Sequence, residues 1–218
     1  MRLMAADVAK ATNGTLVGQN AHLSGVSFDS RDIRPGQLFV PISAERDGHD
    51  FIESALAAGA GAYLTTGKTF GRTSITVQDT LAALLQLGAW GRNKLGTQID
   101  KRVVGITGSV GKTSTKDFVA AALGSTLRVA ANERSFNNDQ GLPVTILNTR
   151  DDVEALVLEM GMRGFGEISR LCSIARPNIG VVTRVASAHT ERVGDIDGVA
   201  RAKSELVMAL DASGFAVL

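Results

Sequence analysis

This sequence is short of several things that would narrow its function at once. It has a single cysteine, Cys172, so no disulfide can form within the chain, and the residue is expected to serve as a small buried apolar side chain. It has only four prolines, no low-complexity tract and no internal repeat, which argues against a fibrous, linker-like or solenoid protein. No apolar run reaches the length of a membrane span and no secretory leader pattern is present, which predicts a cytoplasmic chain without membrane insertion. Lys and Arg total 23 against 22 Asp and Glu, a formal net charge of +1. With aromatics at 5% and no basic stretch interleaved with them, nothing general attracts nucleic acid. Any partner must therefore be argued from a local site.

What is present is ample core material, 44% hydrophobic residues over 218 positions, enough for one large domain or two small ones. Short apolar runs alternate with amphipathic stretches along the whole chain, the signature of an α/β fold. In the first part, a helix through Leu3 and Val8 stops at Asn13-Gly14, and short strands are expected at Val26 to Phe28, Leu38 to Val40, Ala62 to Thr65 and Ile75 to Val77. A polar knot, Glu45 to Asp50, precedes a helix carrying Ile52, Ala55 and Leu56, with Asp50 as its expected N-cap. Asp79 caps a long helix reaching about Lys94. The polar segment Asn93 to Lys101 lacks apolar periodicity, so a domain boundary is placed at 96/97, giving a small α/β domain over 1–96 and a second over 97–218. The second reads as a parallel sheet with strands at Val103 to Ile106, Arg128 to Ala130, Ala155 to Glu159, Ile179 to Thr183 and Phe215 to Leu218. Its helices are expected at Lys112 to Leu123, Glu167 to Ala175 and Ile196 to Leu210.

The most informative stretch is Arg102 to Thr115, in which a short apolar strand runs into Gly108-Ser109-Val110-Gly111 and then a helix opening at Lys112. Glycines leave backbone N–H groups bare for a phosphate, and the helix start adds a favourable dipole. Lys112 can reach the outer phosphates, and the Thr113 hydroxyl can serve a magnesium ion. The strict G-x-x-x-x-G-K-[ST] spacing is missed by one residue, since position 106 is Ile and the upstream glycine is Gly105. A plain glycine-rich surface turn is the alternative.

In parallel sheets, ligands bind beyond the carboxyl ends of the strands. Besides the phosphate loop, two strands end in chemistry-bearing residues. One ends at Glu159, and the other leads to His189. If these strands are neighbours, Thr113, Glu159 and His189 share a crevice fit for magnesium and phosphoryl transfer. Taken singly, Glu159 could cap the next segment and His189 could merely brace a loop. Lys203 lies in a helix where Asp197, Arg201 and Glu205 follow at spacings of four, so a charged solvent face accounts for it on the residues alone.

Several stretches resemble the Mur ligases: TGSVGKTST (Thr107 to Thr115), SFNNDQGLPVTIL (Ser135 to Leu147), LVLEMGMRGFGEI (Leu156 to Ile168), ARPNIGVVTRVASAHTE (Ala175 to Glu191) and ARAKSEL (Ala200 to Leu206). In the first part, FDSRDIRPGQLFVPI (Phe28 to Ile42) and ERDGHDFI (Glu45 to Ile52) resemble the same family. The GSVGKT form of the loop is similar to that of the branch joining D-alanyl-D-alanine to UDP-N-acetylmuramoyl-tripeptide in peptidoglycan synthesis. The resemblance implies a UDP-sugar-peptide domain followed by the first part of a P-loop ATP-binding domain. It also implies a reaction in which the ATP γ-phosphate forms an acyl phosphate that an amine then attacks. It assigns ATP to Gly108 through Ser114 and the pair Asn137 and Asn138, and magnesium to Thr113, Glu159 and His189. Lys112 becomes the charge on the phosphates and Lys203 a carbamylated lysine facing the metals, which reverses the surface reading. Ser30, Arg31, Asp47, Gly48 and His49 fall in loops that resemble the UDP-sugar site.

Arg184, Ala186 and Thr190 depart from the family pattern, and all three flank His189. Family members continue beyond position 218, so the resemblance implies an N-terminal portion that cannot ligate alone and a full-length monomer. Another Mur-type amino-acid ligase, or a non-catalytic nucleotide- or UDP-sugar-binding module, stands as the alternative.

Overall fold

The computed structural model describes residues 1–133, 135–186 and 190–218, and these divide into two compact units. The first comprises Met1–Gly91 with Ile146–Asp151, the second Arg92–Thr145 with Asp152–Leu218. The stretch expected to be a polar connector is folded into the second unit. Leu95 and Ile99 are buried, and Gly96–Ile99 forms a 3₁₀ turn, because two apolar side chains four apart suffice to fix one turn even in a polar context.

In the first unit, β1 (Leu3–Met4), α1 (Ala5–Ala11), β2 (Thr15–Val17), β3 (His22–Leu23), β4 (Val26–Ser27), β5 (Leu38–Phe39), α2 (Ile52–Ala57), β6 (Ala62–Thr65), β7 (Ser74–Thr76) and α3 (Thr80–Lys94) follow in order. The sheet runs β2-β7-β6-β5-β4, with β2 antiparallel to β7 and the remaining pairs parallel. β1 and β3 make a separate antiparallel pair. The central strands are apolar on both faces, as a covered parallel sheet requires. Phe39 and Tyr63 are buried with Ile33, Ile52 and Ala55, and the Tyr63 hydroxyl accepts a 2.6 Å bond from the Phe70 N–H.

The edge strand β4 is closed by a side chain. The Asn148 amide accepts from the Val26 N–H at 2.8 Å and donates to the Val26 carbonyl at 2.9 Å. The helix cap expected at Asp50 lies three residues earlier: Asp47 caps the 3₁₀ turn Gly48–Phe51 by accepting from the His49 N–H.

The second unit holds β8 (Val103–Thr107), α4 (Lys112–Gly124), β9 (Val129–Ala131), α5 (Gly141–Asn148, shared with the first unit), β10 (Ala155–Glu159), α6 (Glu167–Ala175), β11 (Ile179–Val182), α7 (Thr190–Val193), α8 (Ile196–Met208) and β12 (Phe215–Val217). All its strand pairs are parallel, in the order β12-β11-β8-β10-β9. Helix α4 packs on one face of this sheet, where Val119, Ala120 and Leu123 meet Val104, Ile106 and Val157. On the other face α8 comes so close that a Cβ at Gly105 would sit 2.9 Å from Leu206, so the strand spells Gly between Val104 and Ile106 to admit the helix. Cys172 is buried on α6 against Met160, with its thiol pushed up to about 12 first by burial and then by the charge of Glu205. Among the described residues no helix is long and apolar enough to cross a membrane.

The chain leaves β8 for β9 and β10 on one side, then crosses to β11 and β12 on the other. The sheet order therefore reverses at β8, and a crevice opens beyond its carboxyl end. The phosphate loop occupies that position.

Candidate nucleotide site

The loop is built by close approach. Gly108 has φ +154, and a Cβ there would fall 2.0 Å from the Thr183 hydroxyl. That hydroxyl donates to the Val110 carbonyl at 2.6 Å, tying the loop tip to the end of β11. Gly111, at φ +89, takes the left-handed turn into α4 and contributes no side chain as cap. The first N–H groups of α4 are thus left for an anion, with the helix dipole behind them. Lys112 folds back to donate 2.9 Å to the Gly108 carbonyl. Ser109 is committed elsewhere: its N–H donates to the Arg184 carbonyl, and its hydroxyl bridges the Ala186 carbonyl and N–H at 2.8 and 3.0 Å. The Ser109 side chain, in the loop expected to hold the nucleotide, anchors that loop to the segment after β11. Val110 and Ser114 are exposed.

Glu159 stands at the end of β10, only 4% exposed. Its Oε2 accepts from the Thr113 hydroxyl at 2.8 Å and its Oε1 from Asn137 Nδ2 at 2.7 Å. Two residues expected to serve one ion are therefore in direct contact. The donor set suits magnesium, a hard cation that uses one or two protein oxygens and takes its remaining ligands from phosphate and water. Asn138 points its amide at α5 instead, accepting from the N–H groups of Gln140 and Gly141. His189 lies outside the described residues.

Lys203 is not on a solvent face. Together with Val199, Ala202 and Leu206 it lines the buried side of α8 and is 3% exposed. Burial, and then the neighbouring charge of Lys112, push its pKa down to about 8. The spacing-four charges did not predict this because Glu205 leaves the Arg201 pair: it accepts from the Gly166 and Ser169 N–H groups at the start of α6, while Arg201 stacks over Phe165. Sequence reasoning also missed Asn132, which holds the Glu159 backbone, and Lys116, which holds the Asn132 carbonyl; a polar residue just past a strand end was the only signal for Asn132.

In the first unit, the candidate loops carry a second polar cluster. Asp47 Oδ1 lies 2.7 Å from His49 Nδ1 and accepts from the Ser43 hydroxyl at 2.9 Å. The His49 contacts, backbone N–H first, hold the Asp47 carboxyl down to about 2. Gly48 is required by its neighbours, since a Cβ would meet the backbone of Ile42 at 2.4 Å. Arg31 forms a two-pronged pair with Asp29 at 2.9 and 2.7 Å on an exposed turn, beside half-buried Ser30.

A family model for the Mur ligase middle domain matches residues 106–218, which is 113 of the 218 residues. A second, described as Mur ligase family, catalytic domain, matches residues 22–86. This chain belongs to the Mur ligase family. Among curated Mur ligases, it is 41% identical over 183 residues to the UDP-N-acetylmuramoyl-tripeptide--D-alanyl-D-alanine ligase of Bacillus subtilis, covering 80% of this chain and 39% of that protein. The protein of the same name from Escherichia coli is 41% identical over 170 residues, covering 76% and 36%. Among solved Mur ligases, MurF from Acinetobacter baumannii superposes with a TM-score of 0.91 at 28% identity, over 99% of this chain and 48% of that one. MurF from Thermotoga maritima in complex with ADP gives 0.76 at 34% identity, over 88% and 44%. The chain thus spans well under half the length of the curated relatives it matches.

Proposed function

We propose that this chain supplies the ATP site and the UDP-sugar-peptide site of a ligase that joins D-alanyl-D-alanine to UDP-N-acetylmuramoyl-tripeptide in the cytoplasm. The observation that carries the reading is the Thr113–Glu159 bond, which closes a carboxylate over the mouth of the phosphate loop at the sheet's switch point. The names of the relatives support the substrates.

In this reading the bare N–H groups at the start of α4 take the phosphates, and Lys112 turns from the Gly108 carbonyl to the γ-phosphate. There it offsets the repulsion between ATP and the substrate carboxylate as the acyl phosphate forms. Thr113 and Glu159 hold magnesium, which supplies charge neutralisation on the phosphates, and His189 belongs to the same set. Asn137 orients Glu159. Lys203, with its pKa lowered toward neutrality, is the amine suited to carbamylation, a change that converts a buried cation into an oxygen donor. Ser30, Arg31, Asp47, Gly48 and His49 form the surface for the UDP-sugar.

Separate calorimetric titrations of the chain with Mg²⁺-ATP and with UDP-N-acetylmuramoyl-tripeptide test this. Both ligands are expected to bind, with Lys112→Ala removing only the first. No binding of Mg²⁺-ATP to the unaltered chain would overturn the reading.

A further inference from the structure

The buried amide of Asn132 has no part in the reading above, yet it is among the best-connected side chains in the second unit. Asn132 is 1% exposed and immediately follows β9. The β9–β10 ladder pairs Ala155 with Val129, Leu156 with Ala130 and Val157 with Ala131. The Ala155 N–H points toward this side of β10, donating to the Arg128 carbonyl. Residues alternate along a strand, so Val157 and Glu159 present their backbone groups in the same direction. At Glu159 the expected partner backbone is gone, because the chain has turned away into the loop that carries Asn137.

The Asn132 side chain replaces it. Oδ1 accepts from the Glu159 N–H at 2.8 Å, and Nδ2 donates to the Glu159 carbonyl at 2.9 Å. The same Nδ2 also donates to the Phe136 carbonyl at 2.9 Å, so one amide fixes both Glu159 and the loop next to Asn137. The Asn132 carbonyl, which a continuing ladder would have used, instead accepts from Lys116 Nζ at 2.8 Å. Lys116 is itself buried, paired with Asp117, and stands one turn beyond Lys112 on α4. The chain of contacts runs from the helix of the phosphate loop, through Lys116 and Asn132, to the backbone of Glu159. Thr113 and Asn137 then hold the Glu159 carboxylate from the same two directions.

We propose that Asn132, locked by Lys116, is the positioning residue that sets the Glu159 carboxylate for the nucleotide-bound magnesium ion. The proposal rests on the nucleotide reading above. Asn132 touches neither phosphate nor metal in this scheme, so its loss acts only through Glu159. A carboxylate about 1 Å out of place still permits phosphate binding by α4 but loses its grip on the cation.

The test is calorimetry of ADP with the whole chain, in excess Mg²⁺ and in EDTA. The unaltered chain is expected to bind ADP more tightly with Mg²⁺. Asn132→Ala is expected to lower affinity in the Mg²⁺ arm by about 10–100-fold while the EDTA arm stays within about twofold. Glu159→Ala should do the same, and the double variant should lose no more than Glu159→Ala alone. Lys116→Met, which keeps the Asn132 side chain, should give a smaller loss of the same kind and decides the matter if Asn132→Ala does not fold. Equal losses in both arms, an unchanged Mg²⁺ arm, or a double variant weaker than Glu159→Ala would overturn the proposal while the nucleotide reading stands. No Mg²⁺-dependent gain in the unaltered chain would overturn both.

Discussion

Two asparagines in this chain do the same thing in different places. Asn148 grips the N–H and carbonyl of Val26 at 2.8 and 2.9 Å, and Asn132 grips those of Glu159 at the same distances. In each case a side-chain amide stands in for the next strand of a parallel ladder. At Val26 the device closes a sheet edge, and the residue held is apolar and fully buried. At Glu159 the device lets the neighbouring strand end early, so that the loop bearing Asn137 returns to the Glu159 carboxylate. Identical hydrogen bonding thus has different consequences according to what the held residue carries. A side-chain amide of this kind is a function signal only when its partner ends in chemistry.

Four outcomes would sharpen or break that contrast. The largest effect belongs to the held residue itself. Glu159→Ala in the intact ligase should slow product formation by about 10²–10³-fold, whereas Val26→Ala should leave the rate unchanged and show itself only in thermal unfolding. Next comes Asn148→Ala, which removes two part-buried hydrogen bonds at the sheet edge. It should cost about 1–3 kcal/mol in denaturant unfolding, yet keep Mg²⁺-ADP affinity intact. A drop in that affinity would mean the two asparagines are not separable in role.

A smaller effect, of opposite sign, is expected at Lys203. Burial favours its neutral form, so the folded chain releases that proton near 8, while the unfolded chain holds it to the ordinary value of 10.5. The penalty is therefore complete below about pH 8 and is relieved as pH rises from 8 to 10.5. Lys203→Met should stabilise the chain by about 1–2 kcal/mol at pH 7, with the gain fading above pH 10 in urea titrations. The smallest stability effect is at Arg31, whose pair with Asp29 lies on the surface. Arg31→Ala should shift stability by less than about 0.5 kcal/mol and act on binding of the UDP-peptide alone.

Legibility from sequence followed the range of the interaction. The β8–loop–α4 unit was readable because strand, glycines, Lys112 and Thr113 are contiguous, and Glu159 was readable because it ends an apolar run. The bounds of β10 and α6 were expected where they occur. Helix α5, Gly141–Asn148, was missed: Gly141 and Pro143 weaken its helical signal, although proline is tolerated in a first helical turn. Strands β2 and β3, three and two residues long, carry too little alternation to register. Lys203 misled for a physical reason: the i,i+4 spacing on α8 suggested a charged outer face, but Glu205 turns to the start of α6 and the lysine lies on the buried side. Asn132 left almost no trace, since a side chain imitating backbone has no periodicity of its own.

The sulfur chemistry of the chain has a practical side. Its one thiol is shut against Met160 and holds its proton up to about 12, so at neutral pH it offers almost no thiolate to an alkylating dye. A cysteine introduced at an exposed position such as Met208, 81% accessible, would be the one that reacts. The protein is in this sense already prepared for single-site spectroscopic labelling, with no need to remove its native cysteine first.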